Sequence, residues 1–125
     1  MKLTARALVS DGVGRLLAIV HGGRSDRIGL PCGGTERGET PKDASRRELW
    51  EETGIRAGRL KLLVVVEEPG HKTFYFTAGD TSGTICESHE GPVVWATAHD
   101  LVHGKHGRHY QKLIKAAGKR WKYGC

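Results

Sequence analysis

Three glutamates, Glu48, Glu51 and Glu52, stand close together in a segment whose residue pattern predicts a helix. At about 100° per residue they fall within an arc of roughly 100°, so one helix face carries all three carboxylates. Like charges at this spacing repel each other, and the negative end of the helix dipole disfavours them further. Carboxylate oxygens are ligands that Mg²⁺ prefers, usually shared with substrate phosphates. The face therefore indicates a magnesium site for a diphosphate; the alternative is a solvated acidic face paired with neighbouring basic side chains.

The spacing of the residues around these glutamates favours the first interpretation. Five residues separate Gly33 from Glu39, seven separate Glu39 from Arg47, and Arg47 begins the run Arg-Glu-Leu-Trp-Glu-Glu-Thr-Gly-Ile, which ends at Ile55. This segment resembles the Nudix box, the pattern G-x5-E-x7-R-E-U-x-E-E-x-G-U in which U is aliphatic, and it fills every fixed position. The preceding Leu-Pro-Cys-Gly is similar to the family's Leu-Pro-Gly-Gly, with Cys32 in place of the first glycine.

The resemblance implies hydrolysis of a nucleoside diphosphate linked to another group, with water attacking phosphorus and Mg²⁺ or Mn²⁺ required. By their positions in the box, Glu48, Glu51 and Glu52 are expected to bind the metal. Gly33 is expected to offer a backbone carbonyl to it, and Glu48 is also the candidate to orient or activate the water. Arg47 is expected to hold a glutamate by a charge-assisted hydrogen bond.

Two further glutamates outside the box, Glu87 and Glu90, are candidates for an additional metal ligand or base, because they precede a predicted strand that contains Trp95. No motif fixes either of them, and an ordinary loop carboxylate is the alternative for both. Within the box, the resemblance assigns Glu39 to supporting the geometry of the loop and helix, and Gly54 to closing the helix.

The elements that must position these residues follow one another as strands, loop, helix, strands and helix. Strands are predicted over Leu3 to Val9, Arg15 to Val20, Leu60 to Glu67, Thr73 to Thr77 and Val93 to Thr97. A hairpin is expected between the first two strands, His21 to Gly38 is loop-like, and Asp80 to Gly83 indicates a turn. This order and the resemblance predict an α/β (α+β) fold, a Nudix-like α/β/α sandwich with a mixed sheet between helices. We expect one domain over residues 1–125.

The helix that carries the glutamates has its own start and stop signals. Thr40 is suited to cap it, Pro41 to its first turn, and Asp43 completes a capping box. A glycine follows where a left-handed residue commonly ends a helix. From His99 the chain is predicted to be helical again, in two pieces broken near Gly104 to Gly107.

Composition bounds the class of partner and the cellular setting. The chain has 125 residues, a net charge of +6 and a pI of about 9.5, which favours anionic partners. Three cysteines without paired spacing argue against a disulfide framework and against a thiolate metal cage. With no secretory leader and no apolar run of membrane length, they predict a cytoplasmic protein that does not enter a membrane.

Three weaker patterns have competing interpretations. His103, His106 and His109 could ligate zinc, although a solvated basic segment is the default and contact with substrate phosphates lies between the two. The stretch Lys119 to Tyr123 interleaves cations with aromatics and could contact RNA, although packing on the domain is more common. Phe74 to Phe76 are expected to pack in the core, with stacking on a base as the alternative.

These observations give one leading function and two alternatives. The leading prediction is a nucleotide pyrophosphohydrolase that acts on a nucleotide or another small molecule linked through a nucleoside diphosphate. One alternative is an enzyme that acts on capped or triphosphorylated RNA. The other is a non-catalytic nucleotide-binding module that keeps the Nudix shape. No pattern in the sequence specifies the substrate, and a homodimer is left open.

Overall fold

The computed structural model describes residues 1–24, 26–87 and 90–121. The strands in these ranges are β1 (Lys2–Leu8), β2 (Arg15–Val20), β3 (Ile28–Gly29), β4 (Cys32–Gly34), β5 (Ile55–Glu68), β6 (His71–Gly83) and β7 (Val93–Thr97). The α-helices are α1 (Pro41–Thr53), α2 (Ala98–His103) and α3 (Gly107–Ala117). Cys125 and the last two residues of the predicted RNA-contact stretch, Lys122 and Tyr123, lie outside the described residues.

The strands form two sheets. The four-stranded sheet has the order β4-β1-β6-β5, in which β1 runs parallel to β6 and the other neighbours are antiparallel. The three-stranded sheet has the order β3-β2-β7 and is antiparallel throughout. The larger sheet is therefore mixed, as the resemblance implied.

Helices cover both faces of the mixed sheet. Successive side chains of a strand point to opposite faces, and β1 accordingly contributes Ala5 to one hydrophobic cluster and Leu8 to another. Leu49 of α1 belongs to the cluster of Ala5, whereas Leu101 of α2 and Leu113 of α3 belong to that of Leu8. The predicted α+β class, with a mixed sheet between helices, is confirmed.

Some local predictions are wrong. The first two strands do not form a regular hairpin, because they enter different sheets and pair only through a bridge between Ser10 and Leu16. Asp80 to Gly83 is not a turn but the end of β6, and it pairs with the start of β5 at Ile55. The turn-like residues there reflect a local irregularity, since Asp80 has a φ of 50°. The glycine-rich loop also contains the short strands β3 and β4.

Other local predictions are confirmed. Tyr75 and Phe76 are buried and Phe74 packs against the core, as expected for this strand. The C-terminal helical segment breaks between His103 and Gly107, as predicted from its glycines. Among the described residues, every helix is too short or too polar to span a bilayer.

Candidate active site

Helix α1, which carries the box glutamates, is fixed at both ends by its own residues. The Thr40 hydroxyl accepts the N–H of Asp43 at 3.1 Å, and the Asp43 carboxylate accepts the N–H of Thr40 at 3.2 Å. At the other end Gly54 has a φ of 80°, and its N–H donates to the Trp50 carbonyl at 2.9 Å. Leu49 is fully buried and anchors the helix in the core. The predicted caps therefore determine where the carboxylates stand.

Glu52 is a buried carboxyl group with only 5% of its surface exposed. Its Oε2 accepts the backbone N–H of Cys32 at 3.1 Å. Burial raises the pKa of Glu52 to about 9, and the negative charges of Glu90 and Glu48 raise it further. A charge held in this position is unfavourable unless a cation balances it.

Glu48 lies against the backbone of β4. The pairing of Gly33 with Ala5 holds β4 beside β1. A Cβ atom on Gly33 would overlap the carboxyl group of Glu48, so only glycine leaves room for that side chain in its present position. The fold thus brings a peptide backbone and a box carboxylate into direct contact, as the expected neighbourhood of a shared metal requires.

Arg47 binds several carboxylates of the box at once. Its Nε and Nη2 donate to the two oxygens of Glu39 at 2.8 and 3.0 Å, and its Nη1 donates to Glu48 at 2.6 Å and to Glu51 at 3.4 Å. Nη2 also donates to the Gly34 carbonyl at 3.2 Å. The hydrogen bonds with Glu39 raise the pKa of Arg47 and lower the pKa of Glu39 to about 2. Arg47 therefore stays charged and orients Glu48.

The remaining candidate glutamates are placed differently from one another. Glu51 has a half-exposed side chain and lines a separate surface groove together with Glu87. Glu90 lies on the other side, where its charge raises the pKa of Glu52 more than the charge of Glu48 does. The fold therefore brings Glu48, Glu52 and Glu90 together and leaves Glu87 apart from them.

The donor atoms at this site fit a hard divalent cation. Glu48, Glu52 and Glu90 offer only oxygen atoms, and the Gly33 backbone adjoins them. Mg²⁺ is typically bound by one or two carboxylates together with waters and substrate phosphates, so it does not need a closed protein cage. Over the ranges described, no group of three or more His, Cys, Asp or Glu side chains converges closely enough to enclose a metal ion alone. A structural zinc site would require such an arrangement.

The three histidines considered for zinc do not form one site. His103 packs on His99, with ring centroids 4.2 Å apart. His106 instead lies between His21 and His109, at centroid distances of 6.0 and 6.2 Å. The zinc hypothesis is wrong because the chain turns between α2 and α3, which gives these rings different neighbours.

Two residues beside the carboxylates carried no recognisable signal in the sequence. Arg6 pairs across the sheet with Cys32, and His21 Nδ1 lies 3.9 Å from Glu90 Oε2. Both reach the site through pairing between segments that are distant in sequence. Alternation along β1 could have placed Arg6 on the face opposite to the neighbouring alanines, but not beside this particular cavity.

The architecture is that of MutT-type proteins. A mutator MutT protein from Bacillus halodurans has a TM-score of 0.74 to this chain at 22% identity, over 92% of this chain and 80% of that one. A MutT NUDIX hydrolase from Burkholderia pseudomallei has a TM-score of 0.67 at 25% identity, over 80% of this chain and 85% of that one. At such identities the likeness concerns chiefly the fold.

The family follows from the sequence match. A model of the NUDIX domain matches residues 1–117, so the chain belongs to the NUDIX domain family. This confirms the predicted resemblance and, at the level of the family, the predicted class of enzyme. Nudix hydrolases generally use divalent metals, in agreement with the oxygen donors described above.

Curated relatives match only a short segment. An RNA pyrophosphohydrolase from Psychrobacter cryohalolentis is 51% identical over 39 residues, which is 31% of this chain and 22% of that protein. An RNA pyrophosphohydrolase from Bartonella tribocorum is 50% identical over 48 residues, which is 37% of this chain and 28% of that protein. The matches thus cover about a quarter of the length of these relatives.

Replacing Arg47 with lysine is expected to lower kcat for nucleotide hydrolysis by about tenfold to a hundredfold, with a smaller change in KM. Lysine keeps the charge but cannot reproduce the fork that binds Glu39 and Glu48 together. Steady-state kinetics on the best nucleotide substrate measures the effect. The control is Arg56→Lys, whose guanidinium lies over the Trp50 ring at 5.0 Å and away from this network. Equal losses in both variants would contradict the positioning role.

Proposed function

We propose that this chain is a pyrophosphohydrolase that uses a divalent metal to hydrolyse a phosphoanhydride bond in a nucleoside-diphosphate-linked substrate. One observation carries the proposal. Glu52 is buried beside Glu48 and Glu90, an arrangement that is unfavourable for an empty protein and favourable around a cation. The complete Nudix box and the family membership support the same conclusion.

The proposed ligands follow from the placement of the donors. Glu48 and Glu52, with the Gly33 carbonyl, would hold Mg²⁺, and Mn²⁺ could replace it. Glu51 is the further box ligand, and it would have to turn inward from its exposed position. Outside the box, Glu90 is the better candidate than Glu87, because only Glu90 acts on the buried carboxyl group. The bound cation would supply positive charge to the phosphate oxygens.

The protein's own groups then position the reaction. Arg47 fixes Glu48, so that its carboxylate can orient a water molecule and accept a proton from it. The oxygen of that water forms a bond to phosphorus while the bond from phosphorus to the bridging oxygen breaks. The two phosphate-bearing products leave, and the proton on Glu48 returns to solvent. The burial of Glu52 keeps bulk water away from the charged groups.

An RNA 5′ end is the second candidate substrate, and a separate observation favours it. The side chains of Lys42, Arg46, Arg59 and Lys61 line a surface groove of about 510 Å³. The curated relatives are named as RNA pyrophosphohydrolases. A basic groove of this kind suits a phosphodiester backbone and would make binding depend on salt.

A substrate panel tests the proposal. We expect the purified chain to release phosphate or pyrophosphate from at least one nucleoside triphosphate, nucleoside-diphosphate conjugate or triphosphorylated RNA when Mg²⁺ is present. Removing the metal with EDTA is expected to abolish turnover, and adding Mg²⁺ back should restore it. Turnover that is unaffected by EDTA would contradict the metal dependence. Tight nucleotide binding without turnover would instead favour the non-catalytic module. A homodimer, a cytoplasmic setting and a single domain over residues 1–125 remain predictions.

A further inference from the structure

A second cavity borders the candidate metal site. It has a volume of about 290 Å³, and its lining residues are Arg6, His21, Gly29, Leu30, Cys32 and His106. Cys32 belongs to both sites, since its backbone N–H donates to Glu52 while its residue lines the cavity. A substrate whose phosphoanhydride lies on the carboxylates would therefore extend into this cavity.

Arg6 brings a positive charge to the cavity with an unused donor. It stands on β1 between Cys32 on one neighbouring strand and Tyr75 on the other. Its Nε is buried and has no hydrogen-bond partner among the described residues. Because an unmet buried donor on a guanidinium is unfavourable, the geometry requires an acceptor from outside the chain.

Two histidines complete the lining. The rings of His21 and His106 meet edge to face, with centroids 6.0 Å apart. Gly29 makes room for them, because a Cβ atom there would lie 3.3 Å from His21 Nε2 and 4.0 Å from His106 Cδ2. A glycine at this position thus opens the cavity towards both rings.

The charge of the cavity is positive and incompletely balanced. Burial lowers the pKa of His106, and the nearby charges of His21 and Arg6 lower it further. The only carboxylate near these cations within the described residues is Glu90, at 3.9 Å from His21. An anion in the cavity would relieve the repulsion and would also meet the unused donor of Arg6.

We propose that this cavity binds a phosphate group of the substrate that lies next to the scissile phosphoanhydride. The proposal rests on the proposed function, and it narrows the substrate class to molecules with at least one phosphate beyond the bond that is cut, such as a 5′-triphosphate. An uncharged nucleoside in the cavity would leave the positive charges unbalanced. Phosphate oxygens match both the charge and the donors of Arg6 and the two histidines.

Histidine ring NMR with inorganic tripolyphosphate in EDTA tests the cavity without any turnover. We expect the ring signals of His21 and His106 to shift on titration, whereas those of His99 and His103, which pack on each other elsewhere, serve as internal controls. Arg6→Gln is expected to weaken the tripolyphosphate affinity at least tenfold. Arg15→Gln, an exposed arginine outside the site, is expected to keep the wild-type affinity. Shifts of equal size in all four rings, or unchanged binding by Arg6→Gln, would overturn the proposal.

A second measurement separates the phosphate from the nucleoside. By calorimetry with Mg²⁺, the wild type is expected to bind a methylene-bridged nucleoside triphosphate at least tenfold more tightly than the corresponding diphosphate. His106→Gln, which lies between helices and should fold normally, is expected to reduce this difference. A variant that weakens both nucleotides equally would indicate that the cavity holds the nucleoside and would overturn the proposal. Absence of turnover with intact ring shifts would instead count against the proposed function alone.

Discussion

Glu52→Gln is expected to lower kcat by about 10²–10³ while making the metal-free protein more stable. Glutamine keeps the size of the side chain and an oxygen for the Cys32 N–H, but it removes the charge that we propose binds the metal. The same charge is the source of the repulsion with Glu90 and Glu48. Activity and stability should therefore move in opposite directions, which a merely structural role of Glu52 would not produce.

The stability gain should depend on pH with a definite sign. The folded state raises the pKa of Glu52 from 4.5 to about 9, so the folded protein holds this proton more tightly than the unfolded chain. The stabilisation from that proton is fully present below about pH 4.5 and is lost as the pH rises through about 9. The wild type should lose stability across this window, and the glutamine variant should lose less. At pH 7 we expect a difference on the order of 1–3 kcal/mol in the free energy of unfolding.

Thermal and urea unfolding in EDTA at several pH values measure this effect. The matched control is Glu51→Gln on the same helix, where the half-exposed side chain should change the unfolding free energy by less than about 0.5 kcal/mol. Adding Mg²⁺ is expected to stabilise the wild type and to leave Glu52→Gln nearly unaffected. Equal stability of wild type and Glu52→Gln across the whole pH range would contradict the account.

The local part of the fold was readable from the sequence because its signals are short-range. The capping box of Thr40 and Asp43 and the left-handed Gly54 fix the limits of α1 through contacts within a few residues. Once those limits are fixed, the helical period alone places Glu48 and Glu52 on one side. The exposure of Glu51 could not be predicted in this way, because it depends on the reach of Arg47.

The pairing of the strands was not readable because it depends on contacts that the local pattern does not encode. β1 and β2 are separated by a short turn, yet they enter different sheets, and β1 pairs instead with β4 and the distant β6. The same pairing brings Arg6 to Cys32 and so creates the second cavity. Residues that approach a site by strand register leave no spacing in the sequence, whereas residues of one helix do.

Gly33→Ala is expected to lower kcat by about a hundredfold with little loss of stability. The alanine Cβ would overlap the carboxyl group of Glu48, which is the end of a flexible side chain and can move aside. The fold would then be nearly unchanged, but Glu48 would leave the position in which Arg47 holds it. Displacing a group by about 1 Å at a reacting centre is enough for a loss of this size.

The neighbouring glycine provides the control for this variant. A Cβ atom on Gly34 would lie 3.7 Å from the Leu3 carbonyl oxygen, an ordinary van der Waals distance, so Gly34→Ala should keep kcat within about threefold. Kinetics and thermal unfolding of both variants give the comparison. Similar activity of the two would mean that Glu48 works from a position other than the one beside Gly33. A large fall in Tm for Gly33→Ala alone would mean that the glycine serves the packing of β4 against α1, because the flexible carboxylate would then have failed to yield.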